Sequence, residues 1–368
     1  MTTNGLRVPL AKPEPNFDEL RQVILGHETA RRVHFAELYA DPEIVRRVLE
    51  DVLGEPAAAS LDQDPETYYR QLIKFWHRMG YDYIWISGAI EFARAEKVAE
   101  DTADLSRGKR SWVDERGGLI ASWGDYERYP WPRPEDVDYS RYEFVARHLP
   151  PGMKMMVCPS SGVFEVVSEH LLGFEGMSIM LFENPELVEA VFNRVGETIY
   201  GFYRNIVTLD NVGGFFQGDD LGFKTSTFLS PRHLAKHVLP WHKRYAELAH
   251  AHGLMYWLHS CGNLREIMDA LIDDVKIDAI HSFQDEIIPV TEFKETYGDR
   301  VAMLGGIDVD KLCRLGEGEL RAYIRHILDR CMPRRYALGS GNSVANYVPV
   351  RNYLIMMDEG ARWSQAQA

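Results

Sequence analysis

A histidine and a cysteine two positions apart end an apolar segment in the second half of the chain. The segment begins at Gly253, reaches His259-Ser260-Cys261, and is followed by the turn-forming pair Gly262-Asn263. Residues i and i+2 of a β-strand lie on one face, so the imidazole and the thiol can reach the same atom. Nitrogen and sulfur are the usual protein ligands of zinc. The pair therefore predicts a metal site bound by His259 and Cys261, with a buried cysteine beside a hydrogen-bonded histidine as the purely structural alternative.

Further chemically capable side chains follow other apolar segments. Asp219 and Asp220 come after residues 213–217, and we expect at least one of them to bind metal or substrate or to act as a general acid or base. Their alternative role is in turn formation, where aspartate is common. His281 also ends an apolar segment and is a candidate catalytic residue or a histidine satisfied by the backbone. Glu37 is a candidate substrate-binding residue, because a carboxylate inside a fold needs a partner or a metal.

The elements that position these residues alternate between strand and helix. The predicted strands are residues 33–38, 83–88, 155–158, 213–217, 253–261, 279–283, 301–307 and 336–339. Helical patterns lie between them, including residues 44–53, 66–79, a long region around Asn184-Pro185 and a helix beginning at Ser230-Pro231. Alternation favours a parallel α/β sheet, and eight strands close a TIM (βα)8 barrel, in which the carboxyl ends of all strands meet at one mouth. An open, doubly wound sheet is the alternative.

With 368 residues, the chain is long enough for two domains or for one barrel with insertions. We interpret residues 1–368 as a single barrel domain with an N-terminal extension and an inserted excursion at about 96–150, between strands two and three. The excursion is a candidate lid in which Trp123, Tyr129 and Trp131 cover a substrate. The alternative is a segment that only packs on the surface and has no role in substrate binding.

Composition and charge exclude several classes of function. The net charge of -14 argues against a nucleic-acid partner. No apolar run approaches the ~18 residues needed to cross a membrane, so a cytoplasmic location is expected. The four cysteines are far apart and are expected to be buried residues or metal ligands rather than disulfides.

Three motifs resemble the uroporphyrinogen decarboxylase superfamily. They are His259-Ser260-Cys261-Gly262-Asn263, Leu304-Gly305-Gly306-Ile307-Asp308 and Leu338-Gly339-Ser340-Gly341-Asn342. The resemblance spans most of the chain and implies a TIM barrel. It also implies one of two activities: decarboxylation of porphyrinogens without a cofactor, or zinc-dependent exchange of methyl groups with a corrinoid protein or a thiol.

The resemblance is closer to the methyltransferase branch. The decarboxylases carry Arg-Gln-Ala-Gly-Arg-Tyr after strand one and Gly-His-Gly near the last strand, whereas residues 36–41 contain no arginine and residues 339–341 read Gly-Ser-Gly. The methyltransferases place His-x-Cys on strand five, matched by His259 and Cys261, and a third cysteine on strand eight, where this chain has Asn342. Asparagine is a poor zinc ligand. Either an acidic residue such as Asp219, Asp220 or Glu37 completes the sphere, or a different metal binds, or none does.

The leading hypothesis is a metal-dependent methyltransferase or demethylase that moves a methyl group between a small methylated substrate and a corrinoid protein or a thiol. Zinc is the expected cofactor, Asn342 is expected to contact the substrate, and a homodimer is one option for assembly. The alternative is a metal-free decarboxylase or lyase acting on a small acid or a porphyrinogen-like substrate, with Asp219, Asp220 or His281 as the proton donor. A third reading is a ligand-binding barrel without catalysis.

Overall fold

The computed structural model describes residues 5–56, 59–94, 96–100, 109–113 and 118–367, and these form an α/β fold with two sheets. The strands are β1 Tyr83–Ser87, β2 Glu96–Glu100, β3 Lys109–Val113, β4 Lys154–Cys158, β5 Val212–Gly218, β6 Met255–His259, β7 Ala279–His281, β8 Ala302–Leu304 and β9 Tyr336–Ala337. The main sheet has seven parallel strands in the order β1-β4-β5-β6-β7-β8-β9. The prediction of an α/β class with a parallel, barrel-like sheet is therefore confirmed.

Helices connect and cover these strands. They are α1 Phe17–Ile24, α2 Pro42–Asp51, α3 Pro65–Met79, α4 Trp123–Arg128, α5 Ser140–His148, α6 Val163–Glu165, α7 Phe174–Glu183, α8 Pro185–Ile206, α9 Pro231–His237, α10 Leu239–Ala251, α11 Val290–Tyr297, α12 Val309–Arg314, α13 Glu317–Cys331 and α14 Val350–Gln367. None of the helices in the described ranges is both long and apolar enough to cross a membrane.

The first predicted strand, residues 33–38, is much shorter in the structure than the sequence pattern indicates. It is reduced to one parallel bridge between Phe35 and Leu338, next to β9. On the side of β1, the hydroxyl of Tyr83 accepts a hydrogen bond from the Glu37 amide (2.9 Å) and donates one to the Glu37 carbonyl (2.6 Å). A side chain thus takes the place of ladder hydrogen bonds between this segment and β1, which is why no regular strand forms there.

The helix predicted to begin at Ser230-Pro231 is divided into α9 and α10 by a break at Val238. Pro240 has no amide hydrogen to donate to the preceding turn, and its ring crowds that turn, so the pattern that looked continuous in sequence cannot form one helix. Both helices still bury apolar side chains, including Leu234 of α9 and Trp241 and Tyr245 of α10.

The amino end of the barrel interior is filled with apolar side chains. One residue or more from each strand of the main sheet contributes to this cluster or packs against it, and α1 covers it. The ring centroids of Phe17 in α1 and Trp257 in β6 lie 6.2 Å apart. Gly213 is required beside this contact, because a Cβ atom there would lie 2.5 Å from the Phe17 ring. Helix α1 therefore covers the amino end of the curled sheet.

The segment predicted as an excursion, residues 96–150, contains more regular structure than its sequence pattern indicates. Strands β2 and β3 pair in antiparallel fashion, and α4 and α5 follow. Residues 101–108 and 114–117 lie outside the described residues.

Candidate metal centre

A central cavity of about 390 Å³ lies at the carboxyl ends of the strands. Met255 and Trp257 of β6 belong to the interior cluster, so His259, two residues further along, also faces the interior. Cys261 lies two residues beyond the end of β6. The cavity is lined by Leu38, Tyr39, Trp85, Ser87, Gly88, Cys158, Ser160, Ser161, Glu165, Gly218, Asp220, His259, Cys261 and Asn342.

Asp220, His259 and Cys261 each direct one potential ligand atom to a common point, with all three atoms within 4.8 Å of one another. The Nε2 atom of His259 lies 3.5 Å from Cys261 Sγ and 3.5 Å from Asp220 Oδ1. Zinc bonds of about 2.0–2.3 Å at tetrahedral angles place neighbouring ligand atoms about 3.3–3.6 Å apart. The two distances to His259 therefore fit a zinc ion bound between these side chains.

A chain of hydrogen bonds fixes which nitrogen of His259 carries the proton. His281 Nε2 lies 3.1 Å from the carbonyl oxygen of Ser340, which can only accept, so this nitrogen must donate. His281 Nδ1 is then an acceptor in the neutral ring and receives a hydrogen bond from His259 Nδ1 at 2.6 Å. The Nε2 atom of His259 is left with a lone pair that faces Cys261. Burial lowers the pKa of His259 to about 4, which keeps the ring neutral. This is the tautomer that a metal requires.

Asn342 contacts the thiol and supplies a hydrogen bond to it. Its Nδ2 atom donates to Cys261 Sγ at 3.2 Å, and Ser282 Oγ lies 3.7 Å from the same sulfur. Burial raises the pKa of the Cys261 thiol, the neighbouring carboxylate of Asp220 raises it further, and the contacts from Ser282 and Asn342 oppose these effects. A bound cation would reverse the balance, because a metal-coordinated thiol is held as thiolate.

Two carboxyl groups line the cavity. Burial is the first cause that raises the pKa of both Asp220 and Glu165, and the pKa of Glu165 is raised further by the charge of Asp220. Asp220 Oδ1 also accepts a hydrogen bond of 2.7 Å from the Cys261 amide, which ties the carboxylate to the thiol that it faces. Sequence reasoning missed Glu165. The available signal was its position as the third helical residue after the turn that follows β4.

Asp219, predicted as an alternative to Asp220, lies outside the cavity. It is fully buried and accepts hydrogen bonds from the amides of Phe164 (3.1 Å) and Glu165 (3.0 Å). Its Oδ2 atom also lies 2.8 Å from Nε2 of His242. Asp219 therefore positions the loop that carries Glu165, whereas Asp220 faces the cavity.

Glu37 is also fully buried and does not line the cavity. It accepts a hydrogen bond from the Ser340 amide at 2.7 Å, and its other oxygen lies 2.5 Å from the Ser340 hydroxyl. Burial raises the pKa of Glu37 to about 8. The same Ser340 hydroxyl donates to the carbonyl of Asn342. Since this hydroxyl has one proton, a protonated Glu37 must donate to the Ser340 oxygen.

The aromatic residues predicted to cover the substrate form a separate cluster. Trp131 packs against Tyr129 with centroids 4.6 Å apart, while Trp123 is exposed, and none of the three lines the central cavity. Two other aromatic residues line it instead. Tyr39 stacks on Trp85 with centroids 5.5 Å apart and an interplanar angle of 22°. The sequence signal for Trp85 is that it lies two residues after Tyr83 in β1, so both side chains are on the face of the strand that points to the interior.

Comparisons with known proteins connect this geometry to a family. Residues 155–363, more than half of the chain, match the family described as uroporphyrinogen decarboxylase (URO-D), which confirms the resemblance to that superfamily. A methyltransferase from Methanosarcina mazei has a similar fold, with a TM-score of 0.69 and 14% identity over 95% of this chain and 99% of the other. A B12-independent methionine synthase from Shewanella sp. W3-18-1 has a TM-score of 0.52 and 12% identity, over 92% and 97%. No curated protein matches the sequence.

Proposed function

Because the chain belongs to the uroporphyrinogen decarboxylase (URO-D) family, we propose that it is a metal-dependent methyltransferase. In this proposal, residues 1–368 form one barrel domain, and residues 33–38 complete the barrel. It moves a methyl group between a small methylated substrate and a corrinoid protein or a thiol. The observation that carries the proposal is the convergence of Asp220, His259 and Cys261 within 4.8 Å at the carboxyl ends of the strands.

The donor set is chemically suited to zinc. One nitrogen, one sulfur and one oxygen are available, and three protein ligands are the number found in catalytic zinc sites. When bound, zinc would act as a Lewis acid and lower the pKa of a coordinated thiol. Asp220, Cys261 and His259 would hold it, with Asp220 as the third ligand, because the position of the third cysteine in the resembling methyltransferases is Asn342 in this chain.

The surrounding residues prepare these ligands. His281 orients His259 through its acceptor nitrogen, so the metal-facing lone pair exists before any metal arrives. Asn342 donates to Cys261 Sγ and stabilises its thiolate form. Tyr39 and Trp85 stack on one another and supply aromatic surface to the same cavity.

The metal-free decarboxylase or lyase finds less support. A substrate carboxylate is normally held by Arg or Lys, as the bidentate geometry of Arg with carboxylates illustrates. None of the described residues that line the cavity is Arg or Lys, and two of them are carboxylic acids. An acid substrate would therefore enter a site that repels it.

The test is elemental analysis of protein purified without chelator, combined with a methyl-transfer assay. We expect about one zinc per chain in the wild type and in Cys313→Ser, a control cysteine outside the cavity, and little zinc in Cys261→Ser. Transfer of methyl groups from methylated phenols, amines or thiols to a corrinoid or thiol acceptor should fall by more than about 100-fold in Cys261→Ser, since even loss of an outer-sphere partner costs 10–100-fold. Equal turnover by wild type and Cys261→Ser, both without metal, would exclude the proposal.

A further inference from the structure

The charge and shape of the central cavity restrict the methyl donor. We infer that this donor is a small methylated ammonium ion, bound against the face of Trp85 and beside the carboxylate of Glu165. The inference rests on the proposed function and specifies its substrate class.

The charges of the residues that line the central cavity favour a cationic guest. A zinc ion carries two positive charges, which the Asp220 carboxylate and the Cys261 thiolate together cancel, while His259 is neutral. Glu165 then remains as a lining carboxyl group without a positive partner among the described lining residues, none of which is Arg or Lys, and burial raises its pKa. The ionised form of Glu165 therefore needs a cation beside it. A cationic guest supplies that partner, whereas an anionic guest would place a second negative charge beside Glu165.

The backbone at the nearest helix start offers no anion site. The amides of Phe164 and Glu165 already donate to the buried carboxylate of Asp219, at 3.1 and 3.0 Å. The amide of Gly162 donates to Glu165 Oε2 at 3.4 Å. Backbone N–H groups at a helix start are a common anion site, and here acidic side chains of the protein occupy them.

The aromatic surface of the cavity also favours a cationic guest. The indole N–H of Trp85 donates to the carbonyl of Phe216 at 3.2 Å, so the polar edge of the ring is already satisfied. The remaining partly exposed surface of Trp85, together with Tyr39 stacked at 5.5 Å, lines the cavity. A cation over the face of Trp or Tyr is attracted by the negative charge of the ring face, and aromatic surfaces of this kind recognise methylated ammonium groups.

A methylated ammonium donor also balances the reaction without a proton donor. The C–N bond breaks and its electron pair stays on nitrogen, while the methyl carbon forms a new bond with the electron pair of a thiolate or a Co(I) corrinoid acceptor. The products are a neutral amine and the methylated acceptor. The positive charge leaves the nitrogen in this step, so the ion pair with Glu165 is lost as the products form and the neutral amine is held less tightly than the donor.

The experiment compares three ligands of similar shape and different charge by isothermal titration calorimetry on zinc-loaded protein. They are choline, its neutral analogue 3,3-dimethylbutan-1-ol and the anion 3,3-dimethylbutanoate. We expect choline to bind at least about 10-fold more tightly than the alcohol, which corresponds to about 1.4 kcal/mol, and the anion to show no binding.

Variants locate the effect. Glu165→Gln should weaken choline binding about 10-fold and leave the alcohol unchanged, while Trp85→Leu should weaken choline more than the alcohol. Glu175→Gln, which removes the same charge from an exposed position at the start of α7, should change neither. Thermal melting of each variant shows that it is folded.

Equal binding of all three ligands, or tightest binding of the anion, would overturn the inference. So would an unchanged choline affinity in folded Glu165→Gln and Trp85→Leu. If the protein binds zinc and transfers methyl groups from neutral methyl ethers but does not bind choline, the donor class is wrong and the proposed function stands. If the wild-type protein contains no zinc and the Cys261→Ser variant is as active as the wild type, the proposed function itself fails.

Discussion

The two ends of the barrel receive side chains from the same strand and use them differently. Trp257 of β6 packs against Phe17 of α1 at the amino end, in a cluster of apolar residues. His259, two residues further on the same face, ends the strand and supplies the nitrogen of the candidate ligand group that Cys261 and Asp220 complete. One alternating strand thus contributes to packing at one end and to the candidate site at the other, so changes at the two ends should have separable effects.

The largest expected effect is on stability at the packed end. Trp257→Ala should lower the free energy of unfolding by about 3–5 kcal/mol, because it leaves a cavity between α1 and the strands. Denaturant unfolding measures this. Trp257→Phe is the matched control and should lose less, since it retains a ring and removes an indole nitrogen that has no hydrogen-bond partner in the described structure. The folded Trp257→Ala protein should still bind one zinc per chain; loss of zinc from it would contradict the separation of the two ends.

The second effect concerns the buried acid behind the mouth. The pKa of Glu37 is about 8 in the folded protein, whereas the usual pKa of a glutamate side chain is 4.5. The folded state therefore binds more protons than the unfolded state between these values, and the contribution of Glu37 to stability falls as pH rises through them. Between pH 5 and pH 8, the free energy of unfolding of the wild type should fall by about 2–4 kcal/mol relative to that of Glu37→Gln.

Urea unfolding of both proteins at several pH values measures this difference. The comparison cancels the titration of every other group that the two proteins share. A constant difference across the pH range would show that Glu37 titrates normally, and the hydrogen-bond argument at Ser340 would then fail.

The smallest effect sharpens the description of the carboxyl end. His281→Phe keeps a planar ring but removes the nitrogen that accepts from His259 Nδ1, so zinc affinity should fall about 10–100-fold. Competition with a chromogenic chelator measures the affinity. His252→Phe, at an exposed position after α10, is the control and should leave it unchanged. An unaltered affinity in His281→Phe would show that the tautomer of His259 does not depend on this contact.

The sequence predicted the class of fold because hydrophobic periodicity and helix-start residues are local properties. Seven strands of the main sheet lie within or overlap the segments predicted for them. Helices α2 and α3 overlap the predicted segments 44–53 and 66–79, and α8 begins at Pro185, as the pair Asn184-Pro185 indicates. The exceptions have local causes that a pattern does not contain. The hydroxyl of Tyr83 replaces ladder bonds beside residues 33–38, and Pro240 interrupts the helix after Ser230.

The candidate site was predicted less completely than the fold. His259 and Cys261 were recognised because two positions on one strand share a face, which is a rule of spacing. Glu165 was missed, and the aromatic residues of the cavity were sought in the excursion rather than at Trp85. These side chains come from separate loops and strands, and no spacing rule relates residues that are distant in sequence.

The alternation of strands and helices and the shared face of His259 and Cys261 can be read from the sequence alone, because both follow from residue types at short separations. Three features depend on the folded chain: Asp220 faces the cavity, its neighbour Asp219 holds the loop of Glu165, and Asn342 donates to the Cys261 thiol. The direction of a side chain in a loop depends on the backbone path after the strand, and that path is set by contacts with segments far away in the chain.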